Sequence, residues 1–339
     1  MAAAEAVILH TLPVATQMAK FQSRYKRFFV DTICDGTLVT AHCPNTGSMA
    51  GLLDWPGKVD CLISANDNPK RKLKYSLHAM MSAAPFDSAP VEPVMVGVHS
   101  AVANQLATAA LAAGALDAVF GGATLHSSEQ FLDTFNPMLS DDDSLAVGPA
   151  RKKRARSPSA AAPRTRVDLI LRRPDGSAIA VEVKSISMTD YLAHEPHSSE
   201  RDIADVLPVH YSRTALFPDS VSVRAQRHVL ELTEVQQKHG SAKKRAPAAA
   251  VPFATRAAAN CLTCCAAILL VIQRADATGF APCDRVDSAY GDLLREAVAA
   301  GVGAAAMVVD VTNDGQFVFK GVVPVFATHS DAVGALPSR

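Results

Sequence analysis

Hydrophobic and polar positions change rhythm about a third of the way along the chain. Before residue 100, short segments rich in Val, Ile, Phe, Tyr and Thr occupy 24–33, 38–43, 59–64, 73–80 and 94–99. Between them stand Asp35-Gly36, Asn45-Thr46-Gly47, Pro56-Gly57 and Asn66-Asp67-Asn68-Pro69. Short runs bounded by Gly, Pro, Asn and Asp read as strands. Five at this spacing suit a small barrel, with a sandwich fragment as the alternative. Beyond residue 100 the period lengthens. Ser100 is placed to cap a helix through Leu106, Leu111 and Leu116. Segments 166–172 and 178–186 read as two strands joined by the turn Arg173-Pro174-Asp175-Gly176. A helix over 220–237, an apolar strand over 264–272, a helix over 284–299 and a strand over 304–311 follow. Strands alternating with helices indicate an α/β layer.

The expected architecture is therefore mixed α+β and α/β: an OB-fold-like barrel over 1–98, then an α/β domain over 99–330. Three stretches, about 137–163, 189–216 and 240–259, are polar, charged or rich in Ala and Pro, and read as insertions outside both cores. The first holds Asp141-Asp142-Asp143 and Arg151-Lys152-Lys153-Arg154-Ala155-Arg156; the third holds Lys243-Lys244-Arg245. The 151–156 run suits a nuclear address, a nucleic-acid arm or a plain solvated loop.

Composition narrows the class. The 339 residues are 49% hydrophobic and 19% charged, enough apolar material for two cores and unlike a disordered chain. The charge balances at 33 against 33, which excludes a uniformly basic binder. The balance is uneven, however. Residues 1–80 hold nine basic and six acidic side chains, 81–150 none and eight, and 151–339 twenty-four and nineteen. Both segments expected to contact an anionic partner are thus mildly basic, which implies modest, salt-sensitive affinity. Seven irregularly spaced cysteines argue against an extracellular disulfide framework. Cys261 and Cys264 have the gap of a zinc knuckle but lack a second pair, and buried thiols are the simpler reading. No apolar run approaches the length of a membrane span, and the N-terminus, carrying Glu5, has no basic leader region. A soluble, cytoplasmic protein without a membrane partner is expected, with the nucleus as the alternative.

The sharpest chemical signal is Asp168, in Arg-Val-Asp-Leu-Ile-Leu, followed fourteen positions later by Glu182 and Lys184 in Val-Glu-Val-Lys. Alternate strand residues share a face, so Glu182 and Lys184 project together while Val181 and Val183 enter the core. Asp168 on the neighbouring strand comes within reach of Glu182. Paired carboxylates favour a hard cation such as Mg²⁺ (or Mn²⁺), and a nearby ammonium can orient a nucleophile. This looks like the D…E-x-K core of the PD-(D/E)XK nucleases, without the proline before Asp168; the bland reading is a strand-surface ion pair. Glu129 is a candidate for a further acid. On the 220–237 helix, Arg224, Arg227 and His228 lie three and four positions apart and share a face suited to phosphate, or to water. In Arg24-Tyr25-Lys26-Arg27-Phe28-Phe29, basic and aromatic side chains interleave along an expected barrel strand, as contacts to nucleic acid do. Lys70, Arg71 and Lys72 add a second basic cluster.

These residues also resemble a known family. Arg24 to Phe28, His42-Cys43-Pro44-Asn45-Thr46-Gly47-Ser48-Met49, Asp67 to Lys72 and Ala103-Asn104-Gln105-Leu106 resemble the sugar fermentation stimulation protein A family. So do Arg166-Val167-Asp168, Glu182-Val183-Lys184-Ser185 and Phe217-Pro218-Asp219-Ser220. The resemblance implies an N-terminal OB-fold, a C-terminal PD-(D/E)XK nuclease-like domain, DNA as partner and a role in regulating sugar (maltose) metabolism. It places the nuclease-like carboxylates and lysine at Asp168, Glu182 and Lys184, with Glu129 as the upstream acid. Val223 and Ala225 depart from the family's usual Glu and Gly. Two readings follow: a Mg²⁺-dependent nuclease, or a non-catalytic DNA-binding regulator that keeps the nuclease fold as a scaffold. A protein-interaction module using the insertions is a third.

Overall fold

The computed structural model describes residues 6–13, 15–53, 59–82, 93–139, 165–190, 213–240 and 251–335. The 141–143 acidic run, the 151–156 basic run and Lys243-Lys244-Arg245 lie outside the described residues. In chain order the elements begin with β1 (Ile8–Thr11), β2 (Thr16–Tyr25), β3 (Phe29–Cys34), β4 (Thr37–His42), β5 (Asp60–Ala65), β6 (Tyr75–Met81) and β7 (Met95–Gly97). Next come α1 (Val102–Ala112), α2 (Asp117–Phe120), β8 (Thr124–Phe131), β9 (Arg166–Arg172), β10 (Ala178–Ile186), β11 (Met188–Thr189) and β12 (Thr214–Phe217). The chain continues through α3 (Val223–His239), α4 (Phe253–Cys261), β13 (Ala266–Ile272), β14 (Gly279–Pro282), α5 (Asp284–Ala300), β15 (Gly303–Val311), β16 (Gln316–Val323) and α6 (His329–Gly334).

Strands β2 to β6 form the barrel. Their order is β4-β3-β2-β5-β6, and a parallel pairing of β4 with β6 through Ala41↔Tyr75 and His42↔Ser76 closes the ring. Val30, Ala41, Cys61, Ile63, Leu77 and Met80 fill it. This is the expected OB barrel. Its first expected strand is a correction: residues 24–33 are not one strand but a hairpin that turns at Lys26 and Arg27, whose φ values of 46° and 64° are left-handed. Such turns are ordinarily signalled by Asn or Gly, and neither is present here.

The second unit is a seven-stranded sheet in the order β1-β16-β15-β13-β10-β9-β8, with β10, β13 and β15 parallel. All seven residues of β13 are buried, because helices cover both faces. On one face Leu106, Leu111 and Phe120 of α1 and α2 pack on Val181, Leu269 and Met307. On the other, Val229 and Leu232 of α3 and Leu294 and Val298 of α5 pack on Ala180, Ile268 and Val308. Three details depart from the sequence reading. Strand β1 belongs to this sheet, so the first residues of the chain are not part of the barrel. Ala101, not Ser100, caps α1, and the Ser100 hydroxyl instead donates to the Pro44 carbonyl. The stretches read as insertions also contribute to the cores at their ends: Thr214–Phe217 is strand β12, and Phe253–Cys261 is helix α4 with Ala257 buried. All seven cysteines are buried and free. No helix among the described residues is long and apolar enough to cross a membrane.

Candidate active site between the barrel and the sheet

The register of β9 and β10, with Val181 opposite Leu169, carries Glu182 to the level of Asp168 just where the two strands part. There the amide of Val183 donates to Asp168 Oδ2 (2.8 Å) and Asn104 Nδ2 of α1 donates to Oδ1 (3.0 Å). Lys184 Nζ donates to Glu182 Oε1 at 2.6 Å, and a short hydrogen bond joins His228 Nδ1 to the same oxygen. Glu182 is only 5% exposed. Burial disfavours its charge, but the hydrogen bond with His228 and the positive charge of Lys184 hold its pKa below the usual range. Burial and the charge of Glu182 instead raise the pKa of Asp168, against its bonds from Val183 and Asn104.

These side chains lie in a cleft of about 560 Å³ between the two units. Asp168, Glu182 and Lys184 line one side, with Asn104 and Ser100 beside them. Asp219, Ser220 and Arg224 contribute a second wall, and Arg27 with Asn45, Thr46 and Gly47 of the barrel a third. The barrel wall is fastened in place. Ser48 Oγ donates to the Asp219 carbonyl (2.6 Å) and the Met49 amide to Asp219 Oδ2 (2.9 Å). Gly47 permits this approach, since a Cβ there would overlap the Asp219 carboxylate.

Of the basic residues singled out in the sequence, Arg27 and Arg224 reach the cleft. Arg24 is a brace instead. Its guanidinium donates to the carbonyls of Arg27, Asn45, Gly47 and Ser48, holding the loop from within. Tyr25 and Lys26 line a shallower groove next to the cleft. Arg71 donates to Ser76 Oγ, and neither it nor Lys70 nor Lys72 lines the cleft. Arg227 stands 3.7 Å from Glu231 and is also outside. His228 is buried against Glu182, so it positions a carboxylate where the sequence suggested a phosphate contact. Asp219 and Asp287 carry no role that the sequence reading assigned. Asp287 is buried, accepts from the Ser222 amide and Gln226 Nε2, and so anchors the start of α3; nothing in its local sequence separates it from a surface acid.

A family model described as the SfsA N-terminal OB domain matches residues 23–85, and one described as the sugar fermentation stimulation protein RE domain matches 150–245 and 256–315. The chain belongs to the sugar fermentation stimulation protein family. Sugar fermentation stimulation protein homologues from Synechocystis sp. and Parasynechococcus marenigrum are 30% and 32% identical to it. Each alignment covers 82% of this chain, and 83% and 81% of the relatives. A solved structure of Pyrococcus furiosus SfsA in complex with Ca²⁺ shares the fold, with a TM-score of 0.61 at 17% identity over 94% of this chain and 99% of that one.

In this member of the family, the donor set suits a hard cation in part. Asp168 and Glu182 supply oxygens of the right kind, and Mg²⁺ commonly rests on one or two carboxylates while keeping its waters. Among the described residues no three His, Cys, Asp or Glu side chains are arranged to hold a metal ion. Glu129, expected as a further acid, sits on β8 with its side chain 61% exposed and 4.0 Å from Arg166, outside the cleft lining.

Proposed function

We propose that this protein binds DNA and hydrolyses its phosphodiester bonds in the cleft. The supporting observation is the convergence of Asp168, Glu182 and Lys184 on one cavity that also holds Arg27 and Arg224. A divalent cation, Mg²⁺ or Mn²⁺, would rest on Asp168 and Glu182, where it would lower the pKa of a bound water and neutralise phosphate charge. The chain's own groups have separable roles. Glu182 remains anionic because His228 and Lys184 stabilise its charge. Asn104 and the Val183 amide fix the orientation of Asp168. Lys184 places an ammonium where negative charge grows on the phosphoryl oxygens. Arg224 and Arg27, both lining the cleft, would hold the flanking phosphates.

A non-catalytic reading, in which a DNA-binding regulator of sugar metabolism keeps the nuclease fold as a scaffold, is favoured by one observation. Glu182 Oε1 already accepts from Lys184 and bonds His228, and among the described residues no three His, Cys, Asp or Glu side chains are arranged to hold a metal. Incubating the full chain with labelled single- and double-stranded DNA in Mg²⁺, Mn²⁺ or EDTA separates the two. The hydrolytic reading expects metal-dependent cleavage that Glu182→Ala abolishes. Absence of cleavage with either metal, or its persistence in a folded Glu182→Ala variant, leaves the scaffold reading.

A further inference from the structure

We infer that the cleft admits a single nucleic-acid strand and not an intact duplex, with Tyr25 stacking a base beside the scissile nucleotide. The inference rests on the hydrolytic reading and names the substrate of that site. The first support is depth. Glu182, 5% exposed, lines a cavity of about 560 Å³. Pockets of about 300–1,000 Å³ enclose a ligand of drug size, which corresponds to a nucleotide or two. A duplex carries its phosphates on a stiff rod, whereas a flexible single strand can bend to follow the cavity inward.

The second support is that the enclosing walls are held. The 45–49 loop is pinned from within by Arg24 and against the neighbouring wall by Asp219, through three and two hydrogen bonds respectively. Widening the cleft at this wall to seat a duplex would break those bonds.

The third is a path. The groove beside the cleft shares Arg27, Thr46, Gly47 and Ser220 with it and continues to the tip of the β2–β3 hairpin. There Tyr25 is 39% exposed and stacked at 5.5 Å on Phe29, which holds the ring flat and leaves surface open to solvent. Lys26 and Arg27 flank it, both exposed. A stacking ring beside cations, in a groove that continues into a cleft holding buried carboxylates, is the arrangement that single strands use: phosphates follow the charges and any base can stack.

Fluorescence anisotropy in EDTA tests binding apart from cleavage, with a fluorescein-labelled oligothymidylate strand and a blunt duplex of equal length as probes. The strand is expected to bind at least about ten-fold more tightly. Y25A should weaken strand binding about five-fold or more and leave duplex binding unchanged. K26G, which suits the left-handed backbone at that position, provides a second variant and should also weaken strand binding. In Mg²⁺, a hairpin DNA carrying a single-stranded tail should be cut in the tail alone. Equal or tighter duplex binding, equal effects of Y25A on both probes, or cuts within the duplex overturn the inference, and cuts within the duplex leave the hydrolytic reading intact. Strand preference without cleavage of any substrate overturns the hydrolytic reading and keeps the strand assignment.

Discussion

At the scale of the residue, the ionisation of Glu182 is set by its neighbours. A buried carboxylate is tolerated only when paired, and here an ammonium and an imidazole share one oxygen. His228→Ala is therefore expected to cost roughly 1–3 kcal/mol in urea unfolding. It should also move the acid limb of the cleavage–pH profile upward, because the His228 bond is the leading influence that lowers the Glu182 pKa. A purely structural histidine would change stability without moving that limb. A second titrating site lies in the barrel. His78 is buried, bonded through Nε2 to Ser64 Oγ and stacked on His99 at 5.8 Å. Burial, then the charges of His99, His10 and Arg71, push its pKa down to about 4 from 6.5. The unfolded chain takes up this proton near pH 6.5 and the folded one only near pH 4. Stability contributed by neutral His78 is thus intact above that window and lost as pH falls through it. The loss is on the order of 3 kcal/mol, at about 1.4 kcal/mol per pH unit. Urea midpoints measured between pH 7 and 4 should show this slope, and His78→Asn should flatten it.

At the scale of the element, the 45–49 loop joins two chemistries. It makes an Asx turn of its own, with the Gly47 amide donating to Asn45 Oδ1, and it depends on a strand residue, Arg24, for its shape. Arg24→Ala should cost about 1–3 kcal/mol by leaving carbonyls without their donor, and should weaken substrate binding through the displaced cleft wall. Arg24→Lys is expected to recover little, since an ammonium cannot span several carbonyls as the planar guanidinium does. Thermal unfolding and anisotropy of the two variants check both effects. Elements whose burial pattern is local were readable in the sequence. Strands 166–172 and 178–186 appear with those bounds, because apolar runs of this length closed by Pro-Asp-Gly have few alternatives. The hairpin tip was not readable, because Lys26 and Arg27 enter left-handed conformations that their own side chains do not favour and that the Arg24 side chain supports.

At the scale of the whole molecule, the site belongs to neither unit alone. Carboxylates and lysine come from β9 and β10, Arg224 from α3, and Arg27 with the 45–47 backbone from the barrel. The chain's opening strand further ties the units together. β1 crosses to pair with β16, placing Leu9 and Leu12 in the same core as Phe317. A fragment beginning at residue 99, where the sequence suggested a boundary, would lose that strand and expose the edge of β16. It is expected to unfold at lower urea and to associate, by light scattering, more than the full chain does. Charge follows the same logic. A chain that is neutral as a whole places Arg27 and Arg224 beside the acidic pair, which the bulk balance conceals.

The sequence by itself determined the two-unit layout, the family, most strands and helices, and the pairing of Asp168, Glu182 and Lys184. The layout, the elements and the placing of Glu182 with Lys184 follow from short-range rules: period, turn chemistry, and two residues on one face of a strand; the family follows from motif resemblance. Only the tertiary structure decided that His228 serves Glu182 and not a phosphate, that Arg24 is a brace, that Glu129 and Lys70 to Lys72 stand outside the cleft, and that Asp219 fastens the barrel. The bonds of Arg24 to Asn45, of His228 to Glu182 and of Ser48 to Asp219 join residues 21 to 171 positions apart in the chain. Contacts at such separation are set by how the barrel and sheet pack, and no local pattern encodes which charged side chain will find a partner when they do.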